Sequence, residues 1–190
     1  KPSLLREIRK GHPRAKNIYT IVHKSGTEEH RAFFDLYNNK CAYCGCSVSV
    51  IPAQLFNVDH IKPKADKTTP VTKLNAIENL VLSCRTCNAG KSDFWFQELS
   101  NEWSPDGEGI ATIFVRDDLF NILISSEYNG NVNVKTLFEK LRLGEQHRRL
   151  DYLLMSIYEY VRTLPEDSEK RRSLLEVGRT LQDKRNRIGL

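Results

Sequence analysis

Residues 41–91 decide the reading of this chain, with CAYC at 41–44, VDHIKP at 58–63, ENL at 78–80 and CRTCNAGK at 84–91. Two Cys-x-x-Cys pairs, Cys41/Cys44 and Cys84/Cys87, enclose the dipeptide Asp59-His60, and Asn88 directly follows the last cysteine. Four thiolates in two such knuckles are what a closed tetrahedral zinc site requires, because the two-residue gap lets both sulfurs of a knuckle reach one ion. Gly45, behind Cys44, can take the turn conformation that follows. A redox Cys-x-x-Cys pair or plain buried thiols is the competing reading. Two pairs separated by the 39 residues between Cys44 and Cys84 favour zinc. Cys46 reads as a bystander, since Cys41 and Cys44 already have the knuckle spacing.

The run from Leu55 to Ile61 is rich in apolar and β-forming residues and predicts a strand. Adjacent strand residues point to opposite faces, so Asp59 and His60 share a surface only if the strand ends or bulges there. Pro63 supports such an end. Lys62 to Asn75 reads as a polar, basic loop, Glu78 to Leu82 as a second short strand, and Thr86 through Lys91 to Leu99 as helical. Strand, loop, strand and helix, with zinc clamping the ends, make a ββα unit in an α+β chain.

This stretch resembles the HNH endonucleases of the ββα-metal nuclease superfamily. Their pattern of Cys-x-x-Cys, Asp-His-Ile-x-Pro, Asn-Leu and Cys-x-x-Cys-Asn-x-x-Lys is matched by Cys41/Cys44, Asp59 to Pro63, Asn79-Leu80 and Cys84 to Lys91. The resemblance implies that His60 is a general base, that Asp59 and Asn88 bind a catalytic Mg²⁺ or Mn²⁺, and that Asn79 orients the loop carrying His60. An asparagine stands where the family name has its second histidine, which favours a hard, oxygen-binding ion.

The chemistry of those roles follows from the residue types. Phosphodiester hydrolysis needs a deprotonated water and positive charge where negative charge builds. Histidine titrates near neutrality and can take that proton. A carboxylate and an amide carbonyl offer oxygens to Mg²⁺, which uses few protein ligands and keeps several waters. The bland alternative for a lone histidine is a capping or core role, and its place beside Asp59 inside a zinc frame argues against it.

The composition is that of an ordinary soluble protein, 39% hydrophobic and 28% charged. No apolar run approaches the roughly 20 residues of a membrane span. No signal peptide is visible, and a chain starting at Lys1 rather than methionine suggests a trimmed start. Cysteines paired for zinc suit a reducing, cytoplasmic setting.

The net charge of +5 is unevenly spread. Residues 1–40 hold nine Lys/Arg against four Asp/Glu, and residues 101–190 hold fourteen against fifteen. Arg6, Arg9, Lys10, Arg14 and Lys16 form a basic arm that either tracks phosphates or is a solvated, partly disordered leader. Residues 17–22 predict a short strand, and Thr27 to Tyr37 a helix capped by Thr27. Lys62, Lys64, Lys67 and Lys73 lie in the loop beside His60 and are phosphate-contact candidates, as is Lys91, one helical turn beyond Asn88.

These signals divide the chain into a basic lead-in (1–40), the HNH module (41–103) and an accessory region (104–190). The turn signal at Ser104 to Gly107 marks the last boundary. Beyond it, Ile110 to Val115 and Leu119 to Ser125 predict a hairpin, and Val134 to Leu143 a helix stopped by Gly144. Glu145 to Leu164 carries a 3.6-residue apolar stripe, and a final helix spans Ser168 to Arg185. Arg148-Arg149 and Lys170 to Arg172 read as solvated helix faces.

Three functions fit these features. The first is a metal-dependent nuclease acting on DNA, with RNA left open. The second is a non-catalytic zinc module that binds nucleic acid or protein. The third is a nuclease subunit silent until a partner licenses it. By size and layout the chain is similar to bacterial anti-phage nucleases, including the Septu type, which implies antiviral defence and an ATPase or sensor partner.

Overall fold

The computed structural model describes residues 1–15, 17–107 and 109–188. The chain opens with helix α1 (Pro2–Gly11), whose proline sits in the first turn, where a missing amide costs nothing. Leu4 and Ile8, one turn apart, are buried in the core, while Arg6, Arg9 and Lys10 face outward. The basic lead-in is therefore a docked amphipathic helix and not a disordered leader; Lys16 lies outside the described residues.

The strand expected over 17–22 is instead a short helix, α2 (Tyr19–Val22). Asn17 Oδ1 accepts the Thr20 amide at 3.3 Å, and Ile18 and Val22, four apart, are both buried. Burial on one face overrides the β propensity of Ile and Val. Helix α3 (Glu28–Leu36) forms where expected, with Thr27 accepting the His30 amide at 3.2 Å. Asn38 and Asn39 then take left-handed backbone (φ 50° and 57°) and turn the chain into the first knuckle.

Strands β1 (Phe56–His60) and β2 (Leu80–Cys84) pair antiparallel, with Phe56 opposite Cys84 and His60 opposite Leu80. The 62–79 loop between them holds helix α4 (Val71–Leu74) and a 3₁₀ turn over Ile77–Asn79. That turn delays β2 by two residues from its expected start. Helix α5 (Arg85–Lys91) follows β2 without a break but stops at Lys91, short of Leu99, because Ser92 takes φ 49°. The aromatic run behind it packs inward, Phe96 stacking on Trp103 at 4.9 Å.

Helix α6 (Ser100–Trp103) leads to a tight turn in which the Gly107 amide donates to Ser104 O at 2.8 Å. The hairpin is shorter than expected. Ile110–Ile113 is helical (α7), and only β3 (Phe114–Arg116) and β4 (Ile122–Ile124) pair. Helices α8 (Val132–Lys140), α9 (Gln146–Val161) and α10 (Glu169–Asn186) complete the chain, α10 lying along α9. The end of α8 presses on α5 so closely that a Cβ at Gly90 would lie 2.0 Å from the Lys140 carbonyl oxygen. The buried core is continuous, running from Leu4 and Ile8 through β1, β2 and the knuckles to Leu137 and Leu154.

Candidate metal centre and active site

The first knuckle is folded by its own main chain. The Cys41 amide donates to Cys46 O, the Gly45 amide donates to Cys41 O, and Gly45 takes φ +74°. Cys84 ends β2 and Cys87 lies in the first turn of α5. The four sulfurs lie within 4.8 Å of one another and all four residues are buried. Zn–S bonds of roughly 2.3 Å in a tetrahedron would space the sulfurs about 3.8 Å apart. The Cys44 to Cys84 separation is 3.8 Å, so the donor set fits a zinc ion. Cys46 turns away toward Ser47 O, in line with its reading as a bystander.

His60 ends β1 and Asp59 directly precedes it, both buried. Asp59 Oδ2 accepts from the Tyr43 hydroxyl at 3.0 Å and lies 3.6 Å from Lys91 Nζ, while Oδ1 accepts the His60 amide at 2.8 Å. His60 Nε2 donates to Asn75 Oδ1 at 2.9 Å, and the Tyr19 ring covers the imidazole at 4.6 Å. The strand ends at His60, as expected. Burial pushes the His60 pKa below its ordinary 6.5; the Asn75 bond opposes this, and Lys64 and Lys91 add to it. Burial raises the Asp59 carboxyl above 3.8, against the pull of Lys91 and Tyr43.

Asn79 ties both ends of the 62–79 loop. Its amide accepts from Lys62 N at 2.8 Å and donates to Lys62 O and Leu74 O at 2.9 and 2.8 Å. Asn88 is half-buried on α5, one turn before Lys91. Lys64 and Lys67 are exposed, Lys64 Nζ sitting 3.6 Å from the Tyr19 ring centre. Lys62 is half-buried, paired with Asp66 at 2.9 Å and lying over Trp95. Arg9 and Lys10 are exposed on α1.

Lys91 departs from its expected role as a phosphate contact. It is fully buried, donating to His60 O at 2.7 Å and facing Asp59, so it braces the strand end from inside. Arg148 departs too, for it is buried against the cysteines and not on a solvated face. The sequence does not mark its burial, since at about 100° per residue Arg148 lies roughly 160° around α9 from Leu150, off the apolar stripe. Nothing in the sequence marks Asn75, Tyr19 or Tyr43, which meet the site only through tertiary packing.

Two paired strands, a helix entered directly from the second and four converging cysteines define a cysteine-knuckle ββα unit. Residues 41–94 match the family model described as HNH endonuclease, and the chain carries an HNH endonuclease domain there. It is also similar to YoqL, an SPbeta prophage-derived protein of Bacillus subtilis (strain 168) named as an HNH endonuclease. The two are 37% identical over 68 residues, covering 35% of this chain and 29% of the relative. No solved structure matches the chain significantly. Among the described residues no helix is long and apolar enough to cross a membrane.

Proposed function

We propose that this protein is a metal-dependent endonuclease that hydrolyses phosphodiester bonds in DNA, with His60 as general base and a structural Zn²⁺ on the four cysteines. The bond from His60 Nε2 to Asn75 Oδ1 carries the reading. An amide oxygen only accepts, so Nε2 holds the proton and Nδ1 keeps its lone pair. With its pKa below the ordinary value, His60 is neutral at pH 7 and its Nδ1 can take a proton from an attacking water.

Asp59 and Asn88 would hold Mg²⁺ or Mn²⁺ through carboxylate and amide oxygens. A carboxylate offers about four acceptor sites, so the bonds from Tyr43 and the His60 amide leave some free. Bound there, the ion would offset charge on the phosphate and the leaving oxygen. Asn79 holds the loop that positions His60, and the exposed Lys64 and Lys67 supply cations for flanking phosphates. Incubation with plasmid, single-stranded DNA and RNA in Mg²⁺ or Mn²⁺ tests the reading. Metal-dependent plasmid nicking supports it, and inactivity of the zinc-loaded protein on all three substrates overturns it as a self-sufficient nuclease.

One observation favours a second reading, in which a partner or substrate must first uncover the base. His60 is only 6% exposed, beneath Tyr19. In that case Tyr19→Ala raises the basal nicking rate; in the first reading it lowers the rate or leaves it unchanged.

A further inference from the structure

Arg148 enters the metal centre from α9, 104 residues along the chain from Cys44. Its Nη1 lies 3.0 Å from Cys44 Sγ and 3.7 Å from Cys84 Sγ, and its Nη2 lies 3.2 Å from Cys87 Sγ. Nη2 also donates to Leu141 O at 2.7 Å and Nε to Arg142 O at 3.3 Å. A guanidinium has five N–H groups, and these contacts engage all of them. None of these partners is a carboxylate, although the side chain is 3% exposed.

A buried arginine with no carboxylate partner needs a compensating negative charge. Neutral thiols cannot supply it, and four bare thiolates this close would repel one another. Four thiolates around one Zn²⁺ leave a net charge of about −2, which one guanidinium halves. We propose that Arg148 is an outer-sphere partner of the metal centre. Its N–H···S bonds retain the ion, and through it zinc loading holds the C-terminal helices on the HNH domain. The accessory region is then part of the metal site.

The inference rests on the zinc reading of the cysteines and not on nuclease activity. Zinc content of the purified full chain is therefore measured first; a protein without zinc defeats that reading itself. Zinc transfer to a chromogenic chelator is then timed for the wild type, Arg148→Met, Arg148→Lys and the exposed control Arg162→Met. Loss of outer-shell partners commonly costs 10–100-fold in metal affinity. Arg148→Met should release zinc on the order of tenfold or more faster, Arg148→Lys by less, and Arg162→Met at the wild-type rate.

In Co²⁺-substituted protein, loss of the N–H···S bonds raises the sulfur orbitals, so the sulfur-to-cobalt charge-transfer band of Arg148→Met moves to longer wavelength. If Arg148→Met does not fold, hydrogen exchange on the wild type decides. Chelation should deprotect α9 along with the knuckles, and unchanged α9 protection overturns the proposal. Wild-type release with an unmoved cobalt band in a folded Arg148→Met does the same.

Discussion

The His60 Nε2 lies 2.9 Å from Asn75 Oδ1, a contact that joins the end of β1 to the loop fifteen residues on. It assigns the proton to Nε2 and leaves Nδ1 as the basic nitrogen. The proposed base works only when neutral, so nicking should be lost as pH falls through the His60 pKa. That pKa lies below 6.5, so the acidic limb of the pH–rate profile should have its midpoint below 6.5. Asn75→Asp places a carboxylate on the Nε2 proton, favours the imidazolium and should move the midpoint upward. A midpoint unmoved by this change would separate Asn75 from the base.

Lys91 is the second case in which burial sets the role. Its ammonium is enclosed between His60 O and Asp59 Oδ2, at 2.7 and 3.6 Å. Lys91→Met strands both partners, and removing one member of a buried pair costs roughly 3–5 kcal/mol. For a chain of this size that is a fall in melting temperature on the order of 10 °C. Calorimetry measures it. A variant with wild-type melting but a shallower salt dependence of DNA binding would restore Lys91 as a phosphate contact.

These two residues show what the sequence made legible. The grouping of the cysteines, Asp59, His60 and Asn79 was legible because they stand at short fixed spacings along one strand-turn-helix unit. The helices of the second half were visible through their apolar stripes. Lys91 had the right spacing for a phosphate contact, but whether a lysine turns outward or inward depends on what α5 packs against. Asn75, Tyr19 and Arg148 reach the site across 15 to 104 residues of chain. Residues 17–22 carry β-forming side chains that a helix buries equally well, and only the docked neighbours decide.

The basic face of α1 tests the remaining nucleic-acid contacts. Deleting residues 1–16 would remove the buried Leu4 and Ile8 along with the charges, so truncation confounds stability with binding. Arg9→Gln with Lys10→Gln removes charge from exposed positions, where substitutions usually stay within about 0.5 kcal/mol. Each lost phosphate contact lowers the slope of log K against log salt by about 0.9 for duplex DNA. The double variant should melt like the wild type and flatten the slope by about one to two. An unchanged slope would leave α1 as a structural helix alone.

The proposed division of labour between base and metal ligands is separable by metal titration. His60→Ala removes the base but leaves the cysteine frame and the oxygens of Asp59 and Asn88, so the protein should fold and bind DNA. General-base catalysis is worth roughly 10²–10⁴-fold, and plasmid nicking should fall by about that factor at every metal concentration. Asp59→Ala and Asn88→Ala should lose activity by weakening the ion, so excess Mn²⁺ should recover part of it. Asp59→Ala should also destabilise, since it leaves Lys91 and the Tyr43 hydroxyl without their buried acceptor. Asn79→Ala breaks three bonds to main-chain groups of Lys62 and Leu74 and should loosen the loop, a milder loss that Mn²⁺ does not repair. The measurement is nicking rate against Mg²⁺ and Mn²⁺ concentration for the four variants, each checked for zinc content. If His60→Ala nicks at the wild-type rate, the base lies elsewhere. If Mn²⁺ rescues His60→Ala and not Asp59→Ala or Asn88→Ala, the assigned roles are reversed.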